Sequence, residues 1–231
     1  RVVVLAGSED PFGIMVSLEK YYEEYRSGGL AEELARRLVE EYRAGRRAQS
    51  AVYFVFGGRG GYESVKDRII YRLVSYERNR ELLCQAPFVR VCDLAAVFCL
   101  AVKVEEAGWC SAVIGNEQVQ EWGADVGELC GLAAENTPRL FPARIKSMRE
   151  VMEGIAREHL GEEYREEFME ELFSSPVVSP LYVISNETGN WGAAAVLYRG
   201  VLKGFSDQVE RDLILLPSSV HEFLVIPWEA E

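Results

Sequence analysis

The stretch Leu213–Pro227, LILLPSSVHEFLVIP, most narrows what this chain can fold into. Two β-rich runs, Leu213–Leu216 and Phe223–Ile226, flank the short polar link Pro217-Ser218-Ser219-Val220-His221-Glu222. Strands joined by so short a link pair antiparallel. Three further segments read the same way. Val2–Ala6 and Gly13–Leu18 surround a turn-like Gly7–Pro11. Leu94–Val104 and Cys110–Gly115 surround Glu105–Gly108, and their continuous apolarity points to central strands covered on both faces. Leu181–Ile184 and Ala193–Tyr198 surround Asn186–Asn190, whose residues favour turns.

Helical spacing supplies the rest. Glu19–Tyr25 reads as a short helix, and Leu30, Leu34, Leu38 and Tyr42 form one face of a helix over Leu30–Ala44. A strand at Ala51–Phe56 and the glycine-rich Gly57–Gly61 precede a long helix predicted over Glu63–Leu83, with Val65, Ile69, Leu73 and Tyr76 on one face. Asp125–Glu128 has capping-box spacing and opens a helix ending near Glu135, with Asn136-Thr137-Pro138 as its stop. Ser147–Glu150 is a second such box, opening a helix with Met148, Val151, Met152, Ile155 and His159 on one face. Tyr164, Phe168 and Leu172 mark another helix, and Val201, Leu202, Phe205 and Val209 face inward from a helix within Gly200–Arg211. The expected class is α+β, an antiparallel sheet with helices packed mainly on one side. The expected division is an N-terminal α/β segment over 1–86 and an α+β core over 87–231 ending in a β-hairpin, the two forming one compact domain if they pack together.

Charge bounds the partners. The 231 residues carry 37 acidic and 25 basic side chains, a formal charge of −12, which argues against nucleic-acid backbones and anionic membranes. The five cysteines, Cys84, Cys92, Cys99, Cys110 and Cys130, form no CxxC pair. They indicate neither a disulfide framework nor a zinc knuckle, and buried reduced thiols suit a cytoplasmic protein. No signal peptide or apolar run of transmembrane length is visible. No metal or cofactor is expected.

The PSSVHE link holds the densest cluster of reactive groups: Ser218, Ser219, His221 and Glu222. A hydrolase or transferase needs a serine that passes its proton to a carboxylate-oriented histidine. Triads draw on separate elements, however, and the GxSxG elbow is absent. A tight strand connection with hydroxyls bonding turn amides fits better. His159 sits where it can bond the last carbonyls of its helix. At Gly57–Gly61, Arg59 could meet a phosphate, yet neither GxxxxGK[ST] nor GxGxxG is present, so nucleotide binding is the weaker alternative. Asn136 and Arg139 are the remaining ligand candidates, with Arg139 also placed to pair with Glu135. Glu19, Glu23 and Glu24 beside Tyr21, Tyr22 and Tyr25 could form an acidic groove for a basic partner.

Several blocks together resemble a known family. They are Ser17–Tyr25, Val65–Ile69, Tyr76–Asn79, Asn116-Glu117, Glu121–Gly123, Glu135–Pro142, Gly192–Ala194, Leu197-Tyr198 and Leu216–Glu222. In this order they are similar to a family of bacterial proteins, common among gut clostridia, known only as a domain of unknown function. More distantly, the second half resembles another uncharacterised bacterial family. The glycines at Gly57–Gly61 depart from the first family, which is more acidic and aromatic there. The resemblance implies a bacterial cytosolic origin and a longer gene product with a segment before Arg1. It implies no reaction. The leading expectation is therefore a non-enzymatic module that binds a protein or peptide.

Overall fold

A computed structural model describes residues 2–5, 14–17, 19–40, 43, 61–104, 108–159 and 180–228. The predicted strand Ala51–Phe56, the Tyr164–Leu172 helix and most of the glycine-rich loop, with Arg59, lie outside the described residues. In chain order the elements are β1 (Val2–Leu5), β2 (Ile14–Ser17), α1 (Glu19–Arg26), α2 (31–40), β3 (Ile69–Ser75), α3 (Arg80–Gln85), β4 (Phe88–Val91), β5 (Leu94–Val104) and β6 (Gly108–Val113). Then come α4 (Asn116–Trp122), α5 (Val126–Leu140), β7 (Ala143–Ser147), α6 (Met148–His159), β8 (Tyr182–Asn186), a 3₁₀ helix (Gly192–Leu197), α7 (Val201–Val209), β9 (Asp212–Pro217) and β10 (Phe223–Trp228). The class is α+β, with antiparallel sheets.

Two compact units arise from this order, residues 1–65 with 100–112 and residues 66–99 with 113–231. In the first, β1 and β2 form an antiparallel pair. Tyr21 of α1 is buried against Leu34, with Leu38 packed beside them. Arg37 ties the two helices by a 2.6 Å ion pair with Glu24, and its guanidinium lies over the Tyr21 ring.

In the second unit, β3 departs from expectation. The spacing of Val65, Ile69, Leu73 and Tyr76 predicts a helix over Glu63–Leu83. The segment instead forms two 3₁₀ turns, β3, a third 3₁₀ turn and only then the short α3. Ile69, Ile70, Tyr71, Leu73 and Val74 are all buried, so the strand is enclosed on both faces. Such a strand shows no alternation, and its apolar density mimics that of a buried helix. β3 and β4 both pair with β5, whose residues from Ala95 to Cys99 are buried in this unit.

Helix α5 covers the backbone of β3. Asn136 Nδ2 donates to Lys66 O at 2.7 Å and Ile69 O at 3.0 Å. Thr137 Oγ1 accepts from Tyr71 N at 3.1 Å and donates to Ala133 O at 2.5 Å. Among the described residues β3 is the terminal strand of its sheet order, and these side chains meet its outer edge. Asn136-Thr137-Pro138, read as a helix stop, lies inside a helix that runs on to Leu140. Proline removes one backbone donor, and the long-range bonds hold this turn in place. The Asp125 cap forms as expected, with Oδ1 accepting from Glu128 N at 2.8 Å. So does the Ser147–Glu150 box, with bonds in both directions.

The second sheet of this unit has the order β7-β8-β10-β9, antiparallel throughout. Ile184 and Val225 are fully buried. Phe205 of α7 packs edge-on to Tyr182 at 4.9 Å. In α6 Ala156 is buried, while the predicted inward Ile155 is 47% exposed. The segment Ala193–Tyr198, read as a strand, is the 3₁₀ helix. Its Ala193, Ala194 and Ala195 are buried, and chain packed this closely suits a compact turn of small side chains.

The closing hairpin has a definite phase. Ser218 N donates to Glu222 O, and Leu216 lies opposite Leu224. Alternation in an antiparallel ladder then directs the backbone groups of Asp212, Ile214 and Leu216 toward β10. Those of Leu213, Leu215 and Pro217 turn outward. Pro217, and Pro227 opposite Leu213, thus occupy positions where this ladder needs no N–H.

Asn136→Ala leaves the Lys66 and Ile69 carbonyls without their amide donor, and is expected to lower unfolding free energy by about 2–3 kcal/mol. Thr137→Val, which strips the partner from Tyr71 N, should cost about 1–3 kcal/mol and speed exchange of that amide. Urea titration with hydrogen exchange checks both. A loss below about 0.5 kcal/mol for each would show that α5 does not hold β3 through these bonds.

Candidate functional site

Strand β8 ends in a loop knotted by its own side chains. Asn186, 1% exposed, accepts at Oδ1 from Thr188 N and Thr188 Oγ1 and donates from Nδ2 to Asn190 O at 2.6 Å. The Asn side chain thereby imitates a backbone turn. Trp191 follows with φ of 54°, a left-handed conformation unusual for a bulky residue. Three partners surround it. Its N–H donates to His221 Nδ1 at 3.1 Å, the Phe141 ring meets its ring edge-on at 5.7 Å, and the Arg72 guanidinium lies 5.1 Å from its ring centre.

Gly192 comes next and has no room for a side chain. A Cβ there would fall 2.2 Å from Ser185 Oγ, 2.5 Å from His221 O and 2.7 Å from Asn186 N. Ser185 Oγ donates to His221 O at 2.7 Å, and Ala193 N donates to Val220 O. Glu187 N donates to Pro142 O. Three sequence blocks, Phe141-Pro142, Asn186–Ala193 and Val220-His221, therefore meet at one place. Cys99, fully buried, is pushed up to about 11 by burial, with the nearby Arg72 acting in the opposite direction.

The four candidates of the PSSVHE link are indeed close together. Ser219 Oγ accepts from His221 N at 3.0 Å. Ser218 Oγ donates to Glu222 Oε1 at 3.4 Å, and Glu222 O receives the N–H groups of both serines. The His221 Nδ1 lone pair is taken by Trp191, so a neutral ring carries its proton on Nε2. Among the described residues neither serine hydroxyl hydrogen-bonds the imidazole. What the arrangement does chemically is close a turn and hold the Trp191 loop against it.

A family model described as "Family of unknown function (DUF5688)" matches residues 2–231. The chain belongs to the DUF5688 family. Among curated proteins and among solved structures, nothing matches it.

The other candidates of this DUF5688 chain lie apart from that turn. Asn136 and Arg139 serve the β3 backbone: Arg139 Nη2 donates to Asp67 O at 2.6 Å and to Asn136 Oδ1 at 2.9 Å, in place of the expected pairing with Glu135. Arg59 lies outside the described residues. Among the described residues, no group of three or more His, Cys, Asp or Glu is placed to hold a metal ion, and no helix is long and apolar enough to cross a membrane.

Sequence reading missed one feature of the DUF5688 chain, the open face of its closing hairpin. Ile214 and Leu216 of β9 are 37% and 42% exposed, and Trp228 of β10 is 52% exposed. Register places them on one face, with the half-buried Ile226 and Leu224 opposite Ile214 and Leu216. Leu213–Leu216 is apolar at every position, so no alternation marks which face is open.

Gly192→Ala forces backbone apart at two contacts, His221 O and Asn186 N, and displaces the Ser185 hydroxyl. It is expected to cost more than about 3 kcal/mol or to prevent folding. Gly204→Ala, in α7 with open space at its Cβ, should be neutral or stabilise by up to about 1 kcal/mol. Thermal melts of the pair decide it, and equal effects would mean that the loop does not sit against His221 as described.

Proposed function

We propose that this DUF5688 protein is a non-enzymatic module that binds another protein or a peptide in a bacterial cytosol. One observation carries the reading: the open face of Ile214, Leu216 and Trp228 on the closing hairpin. Large apolar side chains grouped on a protein surface mark contact sites, and tryptophan is enriched in them. The reactive groups of the neighbouring link support it too, since Ser218, Ser219, His221 and Glu222 are engaged in holding the turn. Free thiols at Cys84, Cys92, Cys99, Cys110 and Cys130 fit a reducing compartment. The formal charge of −12 favours a partner other than nucleic acid.

The face is tested by placing a photo-reactive phenylalanine at position 228 and irradiating the protein in lysate. The expected result is a discrete adduct that disappears in Leu216→Glu while the melting temperature stays within about 2 °C. No adduct, or one indifferent to Leu216→Glu, overturns the reading. A fluorophosphonate probe should leave Ser218 and Ser219 unlabelled. Stoichiometric labelling lost in His221→Ala would instead establish a serine nucleophile.

A further inference from the structure

The hairpin offers an edge as well as a face. Among the described residues β9 is the terminal strand of its sheet, and the ladder phase turns the N–H and C=O groups of Leu213 and Leu215 away from β10. Pro217 ends this edge with a carbonyl alone. We infer that an extended peptide adds to the β9 edge as a further strand, with apolar side chains over Ile214 and Leu216 and a basic side chain at Asp212 and Trp228. This rests on the reading that the hairpin face is a partner surface.

Three observations select this occupant. First, the open area is small. Ile214, Leu216 and Trp228 together open on the order of 300 Å² of apolar surface. A stable pairing with a second copy needs about 800 Å² from each partner. A single added strand needs less apolar area, because main-chain hydrogen bonds supply part of its affinity. Second, the register is right: the backbone groups of Leu213 and Leu215 turn outward at alternate positions, with the exposed side chains of Asp212, Ile214 and Leu216 on either side of them. Third, charge is complementary. Asp212 lies directly opposite Trp228, and the exposed Glu210 and half-buried Glu222 bracket the strand. Arg211 Nη1 is turned back onto Glu210 O. A lysine or arginine reaching the Asp212–Trp228 pair would meet a carboxylate and an indole face together.

The probe is a labelled peptide of roughly seven residues, Thr-Val-Thr-Val-Thr-Lys-Thr, whose valines and lysine share one face as Leu216, Ile214 and Asp212 do, matched in length to an ordinary strand. Fluorescence anisotropy against the full chain is expected to give saturable binding with a Kd on the order of 100 μM or tighter. The valine–glutamate counterpart should bind at least about tenfold more weakly. Two N-methylated versions, each blocked along one edge, separate strand addition from face contact: one should lose binding and the other keep it. Leu216→Glu should weaken the valine–lysine peptide about tenfold or more at unchanged melting temperature. Loss in both N-methylated versions, or in neither, overturns the inference. So does a dimer in sedimentation that Leu216→Glu dissolves, since a second copy would then hold the edge. If no peptide binds while the position-228 adduct persists, strand addition fails and partner binding stands. If the adduct is also absent, both fail.

Discussion

The architecture of the larger unit depends on how β3 finishes its backbone hydrogen bonding. A terminal strand enclosed in a core has no water on its outer edge, and a buried unpaired amide or carbonyl costs about 1–3 kcal/mol. Ile69, Ile70 and Tyr71 are such residues. Asn136 and Thr137 meet the need from a helix, supplying donors to two carbonyls and an acceptor to one amide. Among the described residues this edge of the sheet is met by side chains of a helix, which is one way proteins protect an edge. Arg139 extends the same device to Asp67. The interaction also explains why α5 carries a proline three turns along and remains a helix, since that turn is held by contacts outside it.

A second closure operates at the PSSVHE link. Trp191 is held in a left-handed conformation, and Gly192 leaves no space between β8 and the link. Strain of this kind persists only when the surroundings over-determine it. Here the determinants are the His221 imidazole, the Phe141 ring and the Arg72 guanidinium. The richest cluster of reactive groups in the chain is thus engaged as architecture. Beside it Ile214, Leu216 and Trp228 leave an apolar hairpin face exposed.

Local signals were legible in the sequence, while signals of burial and long range were not. The Asp125 and Ser147 caps announce themselves within four residues, and both form. The hairpins β1–β2 and β9–β10 follow from short links between apolar runs. β3 was hidden because Val65, Ile69, Leu73 and Tyr76 recur at three or four residues by coincidence within a run buried on both faces. The 3₁₀ helix was hidden because Gly192–Leu197 lacks period of either kind. At the candidate site, the grouping of Ser218, Ser219, His221 and Glu222 is given by adjacency alone. Their partners, Trp191 and Ser185, stand 30 and 36 residues away, and only the fold brings them in.

The bond from Thr137 to the amide of Tyr71 spans 66 residues. During synthesis at about 5–20 residues per second, β3 therefore leaves the ribosome roughly 3–13 seconds before the helix that covers it. Through that interval its outer edge lacks Asn136 and Thr137. The strand is rich in Ile, Val and Tyr, the composition that templates pairing with other chains. The same helix that stabilises the finished protein thus sets a waiting time for the nascent one, and the pace of translation between residues 75 and 137 governs how long a sticky ribbon is left in the open.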